Sequence, residues 1–312
     1  MYIMEDLLDV VIIGAGPGGL TAGVYASRAK LDVLILDKGI PGGQMQNTEE
    51  IENYPSYNKI TGPELSNLML NHSKDSGAVH QYGDVKFIEK LENCVFHINC
   101  GKVDLYAKSV ILATGTNHLK LGVEGEIELA GRGVSYCAVC DGGFYKDKEV
   151  VVVGGGDSAV EEALYLTRYA SKVTVLVRKD KFKAQPILVE RLLNNDKVCV
   201  MFNTTVNRFV EEGSGFTKKL SHLEIVSEGE IMEFKADGAF IYIGMKPNSD
   251  LVKDLVELDE FGYVVTDSHM KTSLDGLYAI GDVRNTPLRQ VISACGDGSI
   301  AGQEVYKYIE NI

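Results

Sequence analysis

Asp9-Val-Val-Ile-Ile-Gly14-Ala-Gly16-Pro-Gly-Gly19-Leu-Thr-Ala22 is the stretch whose reading decides the fold. A short β-branched run ends in Gly-x-Gly-x-x-Gly, and an alanine-bearing segment of helical character then runs to about Lys30. Next comes Asp32-Val-Leu-Ile-Leu-Asp37, a second strand closing on a carboxylate 18 residues past Gly19. Strand, glycine turn, helix, strand and acid form the first half of a dinucleotide-binding fold. Glycine supplies 33 of the 312 residues, so the glycine spacing alone is weak, and the flanking elements carry the assignment. The glycines would let backbone approach a pyrophosphate, and Asp37 would accept from ribose hydroxyls. A carboxylate there repels a 2′-phosphate, which suits FAD or NAD rather than NADP.

The pattern recurs 140 residues later. Glu149-Val-Val-Val-Val-Gly154-Gly-Gly156-Asp157-Ser158-Ala159 reads again as strand, glycine turn and helix, followed by the strand Lys172–Val177. Where an acid would close this second unit stand Val177-Arg178-Lys179-Asp180-Lys181-Phe182-Lys183. Cations there favour a 2′-phosphate, hence NADP, although a solvated charged loop has the same composition. Val110-Ile-Leu-Ala-Thr-Gly115 and Phe240-Ile-Tyr-Ile-Gly244 each end a strand in glycine and polar residues. They read as crossings into and out of an inserted second domain. The chain then returns through Gly276-Leu-Tyr-Ala-Ile-Gly281-Asp282 and a final helix from about Leu288.

The third signal is Ser135-Tyr-Cys137-Ala-Val-Cys140-Asp141. Two thiols at this spacing can close a small reducible disulfide, and Asp141 is placed to exchange a proton with a departing thiolate. Zinc would need two further close ligands, and the chain offers no second C-x-x-C, so no metal is expected. Two inert core cysteines are the remaining reading. Cys94 and Cys100 fall on one face of an alternating segment and read as half-buried strand positions. Cys199 and Cys295 read as core or near-core packing. His118, just past the first crossing, is the one histidine worth following.

Composition narrows the partners. Asp and Glu number 44 against 31 Lys and Arg, a net charge of −13, so nucleic acid binding is not expected. No apolar run approaches the roughly 18 residues of a membrane span. Met1 to Asp9 lacks a basic start and carries Glu5, Asp6 and Asp9, unlike a signal peptide, and the expected location is cytoplasmic.

Gly14-Ala-Gly-Pro-Gly-Gly19, Pro41-Gly-Gly-Gln-Met45, Ile51-Glu-Asn-Tyr-Pro55, Cys137-Ala-Val-Cys-Asp141, Gly154-Gly-Gly-Asp-Ser-Ala159 and Gly281-Asp-Val283 with Leu288-Arg-Gln-Val291 occur here in order. Together they resemble the low-molecular-weight, prokaryotic-type thioredoxin reductases, and the resemblance covers nearly the whole chain. It implies an α/β fold class of two Rossmann-like, three-layer (ββα) nucleotide-binding domains, the second inserted into the first. Residues 1–116 and 246–312 would form a discontinuous FAD-binding domain, and 117–245 an NAD(P)H-binding domain carrying the redox pair. FAD would be held by Gly14, Gly16, Gly19, Asp37, Gly42, Gly43, Gln44, Asn53, Gly281, Asp282, Arg289, Gln290 and Val291. NADPH would be held by Gly154, Gly156, Asp157, Ser158, Ala159, Arg178, Lys179 and Lys183. In family terms Cys140 faces the flavin, Cys137 attacks the thioredoxin disulfide, Asp141 is the acid, and the enzyme is a homodimer.

One departure matters. The family's NADPH stretch reads His-Arg-Arg-x-x-x-Arg, whereas here one arginine stays, two become lysine and the histidine is lost. Lysine keeps a point charge but gives up the bidentate fork and stacking surface of arginine. The Gly154–Ala159 loop is nonetheless intact and cations remain beside it, so NADPH-dependent thioredoxin reduction is the expected activity, with ferredoxin or NADH as alternative donors. A redox-sensing flavoprotein without turnover is the more distant reading.

Overall fold

The computed structural model describes residues 7–48 and 50–312, so Glu5 and Asp6 of the acidic opening lie outside the described residues. The chain divides into two compact units, Met1–Asn117 with Lys246–Ile312 and His118–Met245.

In the first unit the apolar run at the start becomes the strand Leu7–Ile13, paired in parallel with Val33–Asp37 on one side and Asp104–Leu112 on the other. Both of its faces are covered, which is why it reads as continuously hydrophobic. Val11 and Ile13 enter one core cluster with Leu34, Leu36 and Val110, while Val10 and Ile12 enter another with Val33, Ile35 and Ile111. Val79–Tyr82 extends the parallel sheet, and Leu277–Ala279 also pairs in parallel with Asp104–Leu112. Phe87–Lys90 and Phe96–Asn99 add an antiparallel flap. Helices α1 (Pro17–Arg28), α2 (Gly62–Asp75) and α6 (Val291–Ile309) belong to this unit. The last helix thus begins three residues later than Leu288.

The second unit repeats the plan. Val198–Met201, Lys172–Leu176, Glu149–Val153, Gly238–Ile241 and Val134–Ser135 form a parallel sheet in that order. Helices α3 (Ala138–Asp141), α4 (Asp157–Leu166) and α5 (Pro186–Leu193) accompany it. Val150 and Val152 enter the core cluster shared with α4, and Val151 and Val153 enter the other, where an antiparallel meander of Thr204–Glu212, Lys219–Ser227 and Glu230–Phe234 packs. The two units are the α/β, Rossmann-like pair that the repeated glycine turns predicted.

Three cysteine readings are corrected. Cys94 is exposed and ends a short 3-10 turn at φ +59° instead of sharing a strand face with Cys100, because the strand starts only at Phe96. Cys100 lies one residue past the strand's end. Cys199 is exposed on the edge strand Val198–Met201, where only one neighbouring strand shields it, whereas Cys295 is buried on α6.

Candidate active site

The two glycine turns are built alike, atom for atom. Gly14 donates its N–H to Leu36 O at 2.7 Å, and Gly154 donates to Leu176 O at 3.0 Å. Both have positive φ, +110° and +148°, and a Cβ on either would lie 2.2 Å from Ala113 O or 2.1 Å from Tyr242 O. Only glycine fits where the chain leaves one strand between two neighbours. Gly16 and Gly156 are the N-caps of α1 and α4 with no side chain capping them, and a Cβ on either meets nothing within 4 Å. Each turn therefore opens a cradle lined by uncapped amide groups, which fits a pyrophosphate.

Around the first cradle the unit gathers the residues singled out for FAD. Asp37 accepts from Ala15 N at 2.6 Å and Gly39 N at 2.7 Å, so its carboxylate braces the turn and keeps further lone pairs for hydroxyl donors. Gly42 donates to Ala15 O at 2.7 Å, and a Cβ on Gly43 would stand 3.3 Å from Gly16 Cα, which seats Pro41–Gln44 against the cradle. Gln44 Nε2 donates to Thr116 O at 3.0 Å. Asn53 Nδ2 donates to Gln290 Oε1 at 2.9 Å, joining the Ile51–Pro55 segment to the residue that caps α6, ahead of Val291. At Gly18, close packing against Ile280 and Ala294 O brings the start of α1 to the Gly281–Asp282 turn. Gly19 is the contact point of α1 with the turn itself, since a Cβ there would lie 2.0 Å from Gly14 O.

Asp282 sits in that turn half-buried, and no hydrogen-bond donor reaches its carboxylate among the described residues. Burial pushes its pKa up, opposed by nearby Arg289 and reinforced by Asp297. An acceptor taken out of water without a protein partner is what a ligand hydroxyl would satisfy, so the site fits FAD. Arg289 itself lies over the Tyr263 ring at 4.2 Å. Asp297 on α6 was not legible in the sequence. It accepts from Gly281 N at 3.0 Å and from Arg284 Nη1 at 3.1 Å, and so locks the turn that presents Asp282.

Around the second cradle, Arg178, Lys179 and Lys183 are exposed, and Ser158 is exposed at the start of α4. Lys183 N donates to Gly155 O at 2.7 Å, which folds the cationic loop onto the glycine turn. Asp157 accepts from Gln185 N at 2.7 Å and Gln185 Nε2 at 3.0 Å, so its carboxylate anchors the far end of that loop. Ala159 is fully buried in the α4 contact. The cradle and its cations fit a phosphorylated dinucleotide.

The same unit carries the cysteine pair. Cys137 and Cys140 form a disulfide with Cα atoms 5.3 Å apart. Cys137 is the N-cap of α3, and its sulfur accepts from Cys140 N at 3.1 Å, whereas Cys140 is the more exposed residue. An N–H directed at sulfur favours thiolate at Cys137 once the pair is reduced. Asp141 follows directly, half-buried. Phe144, four residues past Cys140, is 75% exposed. His118 packs edge-on to Tyr242 and tilted to Tyr136, and burial lowers its pKa, which keeps it neutral.

Glu126 anchors this region and carried no sequence signal among its acidic neighbours. It is fully buried and accepts from Leu121 N at 2.9 Å, Gly122 N at 2.7 Å and the Tyr136 hydroxyl at 2.7 Å, next to Cys137. Glu126→Ala strands three donors and is expected to cost about 2–4 kcal/mol of stability. Glu126→Gln, which keeps an acceptor, should cost less. Urea unfolding of both variants checks this, and an alanine variant within about 0.5 kcal/mol of the parent contradicts the anchoring role.

The model of the pyridine nucleotide-disulphide oxidoreductase family matches residues 8–298 of the chain. The chain is 52% identical over 309 residues to a thioredoxin reductase of Bacillus subtilis, covering 99% of this chain and 96% of that one. Its structure is similar to a crystal structure of Lactococcus lactis thioredoxin reductase, with a TM-score of 0.94 and 45% identity over 98% of this chain and 100% of the other. A crystal structure of T. acidophilum thioredoxin reductase gives a TM-score of 0.91 at 37% identity, covering 97% of this chain and 99% of that one. With two glycine cradles, a disulfide inside the second unit and a family match over most of its length, this chain belongs to the pyridine nucleotide-disulphide oxidoreductases.

Proposed function

We propose that the protein is a thioredoxin-disulfide reductase that carries electrons from NADPH through FAD to Cys137–Cys140 and on to oxidised thioredoxin. The observation that carries this reading is the disulfide's place in the same unit as the cation-bearing second cradle, in a chain about half identical to thioredoxin reductases. Bound FAD supplies the two-electron relay between nicotinamide and disulfide. The first cradle with Asp37, Asp282 and the Pro41–Gln44 loop binds and orients it. Gly154, Gly156, Asp157, Ser158 and Ala159 seat the pyridine nucleotide, and Arg178, Lys179 and Lys183 neutralise its 2′-phosphate.

Two electrons and one proton convert the disulfide to a Cys137 thiolate and a Cys140 thiol. The thiolate attacks the thioredoxin disulfide, whose S–S bond breaks to release one thioredoxin thiolate. Cys140 then displaces the second thioredoxin sulfur from Cys137, and the Cys137–Cys140 disulfide re-forms. Asp141 takes the proton that Cys140 gives up on attack and passes it to the departing thioredoxin thiolate, and the thiolate released first takes its proton from water. A homodimer and a cytoplasmic setting complete the proposal. No helix among the described residues is long and apolar enough to cross a membrane.

The test is anaerobic mixing of the holoprotein with one equivalent of NADPH, and separately of NADH, followed by flavin absorbance. Fast bleaching by NADPH and subsequent reduction of thioredoxin are expected. Bleaching by NADH alone would make the lysine-for-arginine changes a specificity switch. Bleaching by neither would move the donor to ferredoxin.

A further inference from the structure

The disulfide's loop is tied down by a tyrosine that shares its core cluster but comes from 104 residues later in the chain. Tyr242, just past the strand Gly238–Ile241, is 6% exposed, and its hydroxyl oxygen accepts the Ala138 N–H at 2.8 Å. Ala138 is the residue after Cys137, so this amide is a close neighbour of the sulfur that takes the negative charge on reduction. Of the first-turn amides, Cys140 N points to Cys137 Sγ at 3.1 Å, while Ala138 N is spent on the phenol. Burial, reinforced by the carboxylates of Glu162 and Asp141, holds Tyr242 protonated, so it acts as a neutral hydrogen-bonding group at every working pH. His118 packs edge-on against its ring at 5.6 Å and fixes its plane.

We propose that Tyr242 is a positioning residue that sets the poise of the redox pair. By taking up the Ala138 N–H, it withholds that amide from the Cys137 thiolate and makes the dithiol a stronger reductant. The physics is that of any thiol couple: whatever stabilises the thiolate stabilises the reduced form and makes the disulfide more oxidising. A pair that must pass electrons onward to another disulfide needs the opposite bias. The inference rests on the reductase reading above, and it concerns a residue that contributes no group to electron or proton transfer.

Tyr242→Phe keeps the ring and its packing but removes the acceptor. The experiment equilibrates the holoprotein, parent and variant, in buffers of dithiothreitol and its oxidised form. In that exchange two electrons and two protons pass from dithiothreitol to the cysteine pair, giving the cyclic disulfide and two thiols. Quenching with an alkylating reagent and weighing the protein gives the dithiol fraction without thioredoxin or nucleotide. The variant's equilibrium is expected to move about three- to tenfold toward the dithiol, tenfold being about 30 mV, with a lower thiol pKa. A shift under about twofold, or one toward the disulfide, overturns the role of Tyr242. A parent protein whose cysteines never pair in oxidised buffer would instead remove the reductase reading. Hydrogen exchange at Ala138 in the oxidised parent needs no variant. Slow exchange is expected there, and exchange as fast as in an open loop overturns the proposal.

Discussion

Cys137→Ser is expected to retain FAD and to bleach with NADPH as the parent does, yet to lose thioredoxin turnover by at least about a thousandfold. The reason lies in the roles of the two sulfurs. Serine at the α3 N-cap still accepts the Cys140 N–H, so the loop should keep its shape. What disappears is the thiolate, because a hydroxyl stays protonated at neutral pH and cannot open a disulfide. Residue 137 is not among the residues that build either cradle, which is why flavin reduction should survive. Cys140→Ser also stops turnover but leaves the Cys137 thiol able to trap thioredoxin as a mixed disulfide. Stopped-flow absorbance with NADPH, beside steady-state thioredoxin reduction, separates the steps. Turnover of Cys137→Ser within about tenfold of the parent would falsify the assignment of Cys137 as the attacking sulfur.

Gly19→Ala should be a single methyl that empties the first cradle of its cofactor. Its Cβ would lie 2.0 Å from Gly14 O and 3.3 Å from Ala113 Cβ, so α1 must move away from the turn. An ångström of displacement at a cradle that works by amide geometry costs on the order of a hundredfold in affinity, about 3 kcal/mol. The expected result is protein purified with little FAD, measured as flavin per chain after gel filtration and by titration of the apoprotein with FAD. The repeat supplies an internal control. Ala159 holds the corresponding place in the second unit and is fully buried, so there the helix already stands far enough off for a methyl. Ala159→Gly should therefore cost only about 1 kcal/mol, from helix propensity, and leave FAD content unchanged. Normal flavin content in Gly19→Ala would mean that the first cradle does not hold the cofactor.

Much of the fold was legible because the signals were local. Gly14, Gly16 and Gly19 with Asp37, and again Gly154 and Gly156, sit within one strand–turn–helix each, where backbone sterics leave few options. The β-branched runs at 10–13 and 150–153 announced strands buried on both faces. The cysteine pair, three residues apart, could be read for the same reason. Cys199 and Cys94 went the other way: edge position and strand limits depend on which strands end up as neighbours, and no spacing along the chain encodes that.

The sequence by itself determined the two nucleotide folds, their order and the redox pair, since each is written in a motif of fixed residue types at fixed spacing. Only the tertiary structure decided what surrounds them. Tyr242 reaches Ala138 across 104 residues, and Asn53 reaches Gln290 across 237. Asp297 locks the turn before Asp282 from the middle of a helix, and Asp157 is committed to Gln185. Glu126 becomes a threefold acceptor only when Tyr136 and the 121–122 backbone close on it. These are single polar groups whose partners arrive by chain closure. For Glu126 and the Ala138 amide the meaning comes from burial, because a buried donor or acceptor must be matched, and burial exists only once the sheets have formed.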